Sequence, residues 1–529
     1  MPTETHAMTS PDWNEAEKQD LYDLIDAQHQ GHTTLEQVLD ALAEEGIRAD
    51  DPRLGRFIRE QRGRRANGEI THQSRIEREV CQNFIAQHKV VRDALAKQLI
   101  IPDFKAFREE LTRIYHEVAP LTLGKVADYI PQLARMNPEH FAISVCTIDG
   151  QRFSLGHSDE RFCLQSTCKP INYALAVDEH GTEVVHRHVG REPSGRSFNE
   201  LSLNDEGLPH NPLINSGAIM CASLLQPQAP LADRYDYVRD TWTRLCAEQP
   251  VAFNNSVYLS ERETADRNFA LAYFMRENQA FPPHTHLQQT LELYFQSCSI
   301  ESCTDHLSVA AATLANGGIN PLTGEQIFRN KTVQHTLSLM LTCGMYDFSG
   351  EFAFKTGLPA KSGVSGALFV VIPNVMGLSI WSPALDEHGN SVRGVAFCEK
   401  LIEAYSFHPY DSLLRQTKKK NPRLGKYEST FSRVVNLIWA ASQGDLDEIK
   451  RLHAGGVDLR LADYDGRTAL HLAATENHPE VVDYLIEQGV PLAPEDRWGG
   501  TPLADAEKAG HKAVAQKLRQ ALAASADRA

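Results

Sequence analysis

A serine and a lysine three residues apart stand at the head of a helical stretch. The segment "FCLQSTCKPINYALA" runs from Phe162 to Ala176 and contains Ser166 and Lys169, which face the same side of a helix at this spacing. Pro170 is tolerated only in a first helical turn, so the helix is predicted to begin close to Ser166. Burial in a dry pocket lowers the pKa of a lysine, so that its neutral amine can take a proton. The pair therefore predicts a nucleophilic serine activated by a lysine.

A Ser-x-x-Lys match alone is weak evidence, because a surface lysine beside a capping serine has the same spacing. Serine β-lactamases and penicillin-binding proteins combine it with a later Lys-[Ser/Thr]-Gly on a strand edge. Two such strings occur here, "KTG" at Lys355–Gly357 and "KSG" at Lys361–Gly363. We choose the second, because the following "VSGALFVVIP" is typical of a strand, whereas Leu-Pro follows the first. The backbone N–H of Val364 would then lie beside the nucleophile and help to form an oxyanion hole.

Composition excludes several classes of partner. The 529 residues carry a formal net charge of −16, which disfavours nucleic acid and anionic membranes as general partners. The one notable basic run, Arg415–Arg423, is short and contains a proline, so we interpret it as a solvated linker. No apolar stretch approaches the roughly 18 residues of a membrane span. The acidic first residues lack an apolar core, and the ten cysteines form no disulfide framework, so reduced thiols and a cytoplasmic location are expected.

Histidines and cysteines do not cluster with the spacing of a metal site. Cys298, Cys303 and His306 form the tightest group, but a zinc site takes four ligands, usually with a short ligand pair, so a buried helix thiol is the preferred interpretation. The pairs His186/His188 and His284/His286 are spaced for one face of a strand and lack a neighbouring carboxylate or cysteine cluster. We expect no metal and no cofactor.

The last part of the chain repeats itself every 33 residues. Thr468 and Thr501 are separated by this distance, as are Ala473 and Ala506. A Thr-x-Leu-x-x-Ala pattern at this period is the ankyrin signature, a turn followed by two short antiparallel helices. Residues 430–523 are therefore predicted to form an all-α domain of three ankyrin units, with 524–529 as a tail and 410–429 as a linker. Ankyrin units bind surfaces, so this domain is expected to contact an unknown protein.

The first 105 residues have a helical pattern. "EAEKQDLYDLIDAQ" and "TTLEQVLDALAEEGI" carry apolar residues at helical spacing, Asp51-Pro52 ends the second helix, and "RLGRFIREQ" begins another. The arrangement resembles an EF-hand. However, "RRANGEIT" keeps a glycine and a glutamate without the ladder of calcium-binding carboxylates. We predict a structural and assembly module without a calcium loop.

Residues 106–409 alternate between strands and helices. "FAISVCTIDGQRFSLG" predicts a hairpin around an Asp-Gly turn, and "ALFVVIPNVMGLSIWSP" predicts a second pair of strands. Helical patterns such as "LSVAAATLANGG" and "TVQHTLSLMLTCG" lie between them. The fold class is therefore α+β, with an antiparallel sheet assembled from distant parts of the chain.

This middle region resembles the serine-dependent glutaminases, the family that includes animal kidney-type and many bacterial enzymes. The strings that carry the resemblance occur in the family's order: "GKVADYIPQLA", "VCTIDGQRFSLG", "FCLQSTCKP", "GTEVVHRHVGREPSG", "PHNPLINSGAI", "SERETADRNFA", "AATLANGG", "CGMYDFSGEFAF" and "GLPAKSGVSG". The resemblance implies a catalytic domain like that of serine β-lactamases and penicillin-binding proteins. It also implies hydrolysis of L-glutamine to L-glutamate and ammonia through a serine acyl-enzyme.

The resemblance assigns roles to individual positions. Ser166 matches the nucleophile, Lys169 its base and Tyr346 the group that relays a proton to the leaving ammonia. The oxyanion would bind the backbone N–H groups of Ser166 and Val364. The positions that match glutamine-binding residues are Tyr129, Ser166, Asn215, Glu261, Asn268, Tyr294, Tyr346 and Val364. Glu261 suits the ammonium group of glutamine, and the amides and phenols suit its carboxylate.

Two other functions remain compatible with the residues. The first is a penicillin-recognising serine hydrolase, which shares the chemistry but works outside the cytoplasm. The second is a non-enzymatic ankyrin scaffold whose middle domain senses glutamine. Hydrolysis of a cephalosporin would support the first alternative, and failure to release ammonia from glutamine would support the second.

The long segment Gly190–Pro212 lies between the helix that follows Ser166 and Asn215. Its glycines and prolines disfavour regular structure, yet Phe198, Leu201 and Leu203 are apolar. They could pack on their own domain or against a neighbouring subunit. The resemblance favours the second arrangement, since related enzymes form dimers of dimers with this loop at an interface. A homotetramer is therefore expected, with filaments as a further assembly.

Overall fold

The computed structural model describes residues 22, 25, 32–63, 75–195, 199–413, 419–423, 428–454 and 457–526. The chain divides into two compact units. The first comprises Met1–Pro409 with Asn421–Arg423, and the second comprises Tyr410–Lys420 with Leu424–Ala529. In the described part of the chain, no helix combines the length and the apolarity needed to cross a bilayer.

The N-terminal module is a small helical body with its own core. Its helices are Leu35–Glu44, Gly55–Gly63, Arg78–Gln87 and Lys89–Leu95, and its strands His32–Thr34 and Arg75–Glu77 pair antiparallel. Val38 and Leu42 are fully buried, which confirms the amphipathic pattern of the second predicted helix. The break at Asp51 is also confirmed, since its side chain caps the short 3-10 helix Pro52–Leu54. Most of the first predicted helix and all of "RRANGEIT" lie outside the described residues.

A five-stranded antiparallel sheet forms the centre of the first unit. Its order is Arg152–Gly156, Ala142–Thr147, Met376–Trp381, Ala367–Ile372 and Ala360–Ser362. Both predicted hairpins are confirmed, and distant segments meet where Ala142–Thr147 pairs with Met376–Trp381. The alternation of side chains sends Ile143 and Val145 to one face and Ala142 and Cys146 to the other, and all four are buried.

Helices cover both faces of the sheet. Phe104–Val118 and Val392–Ala404 pack on one face. Thr304–Ala315 packs on the other, where Gly377 is needed because a Cβ there would come within 2.1 Å of the backbone nitrogen of Ala312. The remaining helices of this domain are Pro131–Ala134, Lys169–His180, Thr182–Val185, Asn215–Leu224, Leu231–Leu245, Asn255–Glu263, Asp266–Glu277, Leu287–Cys298, Asn330–Cys343 and Ser349–Thr356. Short strands outside the main sheet are Lys125–Val126 with Ala384–Leu385, and Phe162–Cys163 and Ala252–Phe253 on either side of Ile300–Ser302.

The N-terminal module holds the turn of the first hairpin. The backbone N–H of Arg152 donates to the carbonyl of Gly46 at 2.7 Å, and Arg53 donates to the carbonyl of Asp149 at 2.7 Å. An ion pair joins Arg48 to Asp305 at 2.7 Å, at the start of the helix Thr304–Ala315. The module is therefore joined to the central sheet by backbone contacts as well as by charges.

The second unit contains three helix pairs. They are Glu428–Gln443 with Leu446–Ala454, Ala469–Thr475 with Pro479–Glu487, and Pro502–Lys508 with Lys512–Ala526. Thr468 and Thr501, which define the repeat, each cap the first helix of a pair. The last helix continues into the predicted tail, and the first begins two residues inside the predicted linker.

Candidate active site

Ser166 lies in the turn that leads into a buried helix. The 3-10 turn Gln165–Cys168 is followed directly by the helix Lys169–His180, with Pro170 in its first turn. The predicted helix start is thus confirmed. Ser166 is 8% exposed and Lys169 is 1% exposed, so the hydroxyl borders solvent and the amine lies beneath it. Gln165 has a φ of 49°, a left-handed conformation that non-glycine residues seldom adopt outside functional turns.

Lys169 has a neutral hydrogen-bond partner. Its Nζ donates to Oδ1 of Asn215 at 2.7 Å, and Nδ2 of Asn215 donates to Oδ1 of Asn268 at 3.1 Å. Burial lowers the pKa of Lys169 from its ordinary value, because the charged ammonium loses water there. An amine in this setting can accept a proton.

Tyr346 reaches the serine from the other side. It begins the 3-10 turn Tyr346–Phe348 with a φ of 55°. Its hydroxyl donates to the carbonyl of Ser362 at 3.1 Å and is hydrogen-bonded with the Ser166 side chain. Burial raises the pKa of Tyr346, so the phenol keeps its proton at neutral pH. The structure therefore brings Ser166, Lys169 and Tyr346 together.

The two Lys-[Ser/Thr]-Gly strings have different structures. Lys361 and Ser362 lie on the edge strand Ala360–Ser362, which runs beside the Ser166 turn. The close approach shows at Gly363, where a Cβ would come within 2.9 Å of the carbonyl oxygen of Leu164. Lys355 instead lies in the last turn of the helix Ser349–Thr356. The choice of the second string as the strand is confirmed.

A cavity of about 200 Å³ opens above Ser166. Apart from Lys169 and Tyr346, every predicted site residue lines it. The lining is Tyr129, Gln165, Ser166, Asn199, Asn215, Glu261, Thr264, Arg267, Asn268, Tyr294, Cys298 and Val364. Lys169 is buried and does not line the cavity, and Tyr346 lines a neighbouring pocket.

Glu261 is the acidic group of the cavity. The hydroxyl of Tyr129 donates to its Oε1 at 2.6 Å, and Nε2 of Gln165 donates to the same oxygen at 2.9 Å. Burial raises the pKa of Glu261, although both hydrogen bonds act in the opposite direction. The arrangement offers one carboxylate oxygen to a cation and keeps the other occupied.

Several lining residues escaped the sequence analysis. Gln165 directly precedes the nucleophile, and its contact with Glu261 depends on the left-handed turn, which the sequence does not signal. Thr264 and Arg267 stand within the quoted string "SERETADRNFA", and Arg267 is exposed at the cavity, where a guanidinium suits a carboxylate.

The histidine pairs do not lie on strands, contrary to the prediction. His186 follows the short helix Thr182–Val185 and hydrogen-bonds the hydroxyl of Tyr173 at 2.9 Å, while His286 caps the helix Leu287–Cys298. Cys298 ends that helix as a buried thiol at the cavity. Among the residues that the structure describes, no group of three or more histidine, cysteine or acidic side chains could hold a metal ion.

The segment Gly190–Pro212 has no regular secondary structure where it is described. Leu203 packs against the main core of its own domain, whereas Leu201 is 42% exposed. Phe198 lies outside the described residues.

Each of the three segments of the chain matches a known protein family. A family model described as glutaminase matches residues 124–410, ankyrin repeats (3 copies) match 437–527, and an EF-hand domain matches 18–102. "Putative glutaminase 3" of Caenorhabditis elegans is 46% identical, over 95% of this chain and 87% of its own length. "Glutaminase liver isoform, mitochondrial" of Rattus norvegicus is 44% identical, over 93% of this chain and 82% of its own length. A solved structure, "Probable glutaminase ybaS", is 35% identical with a TM-score of 0.53, over 55% of this chain and 94% of its own.

Proposed function

Because this chain belongs to the glutaminase family and is an amidohydrolase acting on L-glutamine, we propose that it works through a serine acyl-enzyme formed on Ser166. The observation that carries the mechanism is the placement of Lys169, fully buried beneath the serine with only an amide oxygen as its described hydrogen-bond partner. A structural ion pair would place a carboxylate there. A buried, neutral amine instead serves as a base.

Glutamine binding follows from the charges in the cavity. The ammonium group of the substrate pairs with Glu261, whose position Tyr129 and Gln165 fix. The carboxylate accepts hydrogen bonds from Asn268, Tyr294 and Arg267, and Asn215 contributes a further amide near Lys169. The side-chain amide then lies over Ser166. These contacts predict a preference for an amino acid over an uncharged amide.

Acylation forms one bond and breaks one. The Ser166 oxygen attacks the side-chain amide carbon while Lys169 accepts the hydroxyl proton. The backbone N–H groups of Ser166 and Val364 stabilise the oxyanion. As the carbon–nitrogen bond breaks, Tyr346 donates a proton to the nitrogen, which leaves as ammonia. Lys169 then passes its proton to Tyr346, which restores the neutral amine and the protonated phenol.

Deacylation repeats the steps with water. A water molecule takes the place of the ammonia and attacks the ester carbon, while the neutral Lys169 amine accepts a proton from the water through Tyr346 and later returns it to the Ser166 oxygen. The bond between the Ser166 oxygen and carbon breaks, the serine regains a proton and glutamate leaves. No metal takes part in this scheme, and exhaustive chelation should leave the activity unchanged.

The test measures ammonia and the covalent intermediate together. Purified full-length protein should release ammonia from L-glutamine, and rapid acid quenching should leave a glutamyl group on the peptide that contains Ser166. The matched control is D-glutamine, which places the ammonium group away from Glu261. Hydrolysis of a cephalosporin in preference to glutamine would overturn the assignment.

We also propose that the protein is a homotetramer, a dimer of dimers that can extend into filaments. The supporting observation is Leu201, an exposed leucine in a segment that leads to Asn215. A neighbouring subunit that covers Leu201 would order this loop and with it the amide next to Lys169.

The ankyrin domain supports a docking role. Tyr464 is 90% exposed and Trp498 is 68% exposed, and Arg497 lies over both rings. Exposed aromatic and arginine side chains are the residues that dominate protein interfaces. We propose this group as the contact for a protein partner, and Trp498→Ala should abolish capture of that partner without loss of glutamine hydrolysis.

For location we propose the cytoplasm. All ten cysteines are buried and unpaired, as expected in a reducing compartment. The rat relative's name states a mitochondrial location for that protein, so cell fractionation is the deciding measurement: recovery with mitochondrial markers would overturn the proposal.

A further inference from the structure

A second lysine is buried next to the catalytic group, and the mechanism above gives it no role. Lys361 is 0% exposed on the edge strand Ala360–Ser362. Its Nζ donates to the carbonyl of Ser362 at 2.7 Å and to the carbonyl of Gly344 at 3.1 Å. Among the described residues, no carboxylate pairs with it. A buried lysine without an acidic partner is costly and needs a reason.

Lys361 and Tyr346 share one acceptor. The carbonyl oxygen of Ser362 accepts from the Tyr346 hydroxyl at 3.1 Å and from Lys361 at 2.7 Å. The same Nζ lies 4.3 Å from the centroid of the Tyr346 ring. Burial lowers the pKa of Lys361 well below its usual value, so the group over the ring is an amine that donates its two N–H bonds to backbone carbonyls. Lys361 thus contacts the ring itself and the oxygen that orients the phenol.

Tyr346 requires such support. Its φ of 55° is a conformation that a bulky side chain avoids, so the surrounding contacts must hold it. Ser349 holds the backbone, because its hydroxyl donates to the Tyr346 carbonyl at 2.7 Å and accepts from the N–H of Met345. Neither of these contacts fixes the ring. Lys361 contacts the ring, and the Tyr346 hydroxyl is hydrogen-bonded with the Ser362 carbonyl and the Ser166 side chain.

We propose that Lys361 is a positioning residue for Tyr346, holding the phenol where it can pass a proton between Ser166 and the leaving nitrogen. Lys361 does not line the substrate cavity. The inference rests on the proposed function, since it gives Tyr346 the proton-relay role. Loss of Lys361 should therefore slow the chemical step and leave glutamine binding nearly unchanged.

A purely structural role makes a different prediction. Through Gly344, Lys361 also contacts the end of the helix Asn330–Cys343, and it could serve only to satisfy that carbonyl. In that case its removal would lower the stability of the protein without a selective effect on kcat. Any loss of kcat would then be the same in the presence and in the absence of the Tyr346 hydroxyl.

The first experiment compares two lysines. Lys361→Met removes the N–H donors while keeping most of the side-chain length, and Lys361→Gln keeps a donor in case the first variant folds poorly. Lys355→Met is the matched control, because Lys355 belongs to the other Lys-[Ser/Thr]-Gly string and its Nζ lies 5.7 Å from the Phe348 ring centroid at the surface. We expect kcat to fall on the order of 10²-fold in Lys361→Met, as for loss of acid–base assistance, with KM within about threefold of wild type. The control should match wild type.

The second experiment is a double-mutant cycle with Tyr346→Phe. Since Lys361 acts through Tyr346, adding Lys361→Met to Tyr346→Phe should cost less than about threefold more in kcat. Losses that multiply, or an unchanged kcat in folded Lys361→Met, overturn the inference. Full activity of Tyr346→Phe would overturn the proposed mechanism instead, so the two failures are distinguishable. Melting temperatures of all variants check that each is folded.

Discussion

The buried residues around Ser166 and those inside the ankyrin helices differ in kind. Around Ser166 the interior holds Lys169, Glu261 and Lys361, which are ionisable and lie 0–9% exposed. The ankyrin interior is mainly aliphatic, with leucine, valine, isoleucine and alanine side chains such as Leu470 and Ala473. Both regions are closely packed. In the ankyrin helices burial increases the free energy of unfolding, whereas around Ser166 it changes the reactivity of the buried groups.

Burial has opposite consequences in the two regions. In the ankyrin helices each buried leucine contributes about 1.5–3 kcal/mol to stability. Around Ser166 burial moves the pKa of Lys169 down and that of Glu261 up, toward the neutral range where proton transfer is useful. His471 is buried in the ankyrin interior and is hydrogen-bonded to Thr468, which shows how that region satisfies a polar group without exposing it to a ligand. Substitutions should therefore affect activity in one region and stability in the other.

The largest expected effect is the loss of the nucleophile. Ser166→Ala should lower kcat by about 10⁴–10⁶-fold while the melting temperature stays near wild type, because only one small oxygen is removed. Lys169→Ala should be comparably damaging, since the two side chains act as a unit. The measurement is ammonia release with a thermal melt on the same sample. A folded Ser166→Ala protein that keeps a tenth of the activity would remove the contrast between the two regions.

The next effect is on the pH dependence. Lys169 acts as a base only when neutral, and its lowered pKa makes the neutral form accessible below the ordinary value of about 10.4. As the pH falls, Lys169 gains a proton and Glu261, with its raised pKa, loses the charge that binds the ammonium group. Both changes lower activity in acid. Activity should therefore rise from neutral into mildly alkaline pH, and an optimum below about pH 6 would contradict this.

A smaller effect is expected in the loop that follows the catalytic helix. Leu201→Lys places a charge on a leucine that we propose to lie against another subunit, which should weaken assembly by roughly 1–3 kcal/mol. Specific activity should fall together with the sedimentation coefficient, and wild-type activity should fall on dilution. Leu203→Lys is an unsuitable control because Leu203 packs on its own domain. A monomeric Leu201→Lys protein with full activity would show that assembly does not order the site.

The smallest effect should come from removing the ankyrin domain. Deletion of residues 430–529 should leave kcat and KM within about twofold of wild type, because repeat units form their own stacked core. Every site residue lies between Tyr129 and Val364, inside the first compact unit. Kinetics and sedimentation of the truncated protein provide the check. A folded, correctly assembled but inactive truncation would mean that the two regions are not separable.

Local patterns predicted much of this fold. The hairpin at Asp149–Gly150 follows from alternating apolar residues around a turn dipeptide, and Gly150 adopts the required positive φ of 93°. The ankyrin helices follow from the repeat. The start of the helix after Ser166 follows from Pro170, since a proline restricts the position of a helix end.

Contacts between residues that are distant in the chain could not be predicted from the local sequence pattern. Tyr129 meets Glu261 across a separation of 132 residues, and only the resemblance to a family suggested that both face one cavity. Gln165 was missed because its role depends on an unusual backbone angle. The spacing of His186 and His188 suggested a strand, but both follow a short helix, where His186 is hydrogen-bonded to Tyr173 and His188 to the carbonyl of Ala280. Two histidines at alternate positions do not distinguish a strand from a turn, because the alternating pattern does not extend beyond two or three residues.

The contacts between the N-terminal module and the first hairpin make truncation of this chain asymmetric. Cutting before the ankyrin repeats separates two bodies that each keep their own core. Cutting after residue 105 would strip the Arg152 N–H and the Asp149 carbonyl of their partners and leave the carboxylate of Asp305 without Arg48. Because an unpaired buried polar group costs about 1–3 kcal/mol, a shortened enzyme would need water or new side chains at that turn. The C-terminal side is therefore the place to shorten this protein for expression, and the N-terminal module should be kept as part of the catalytic body.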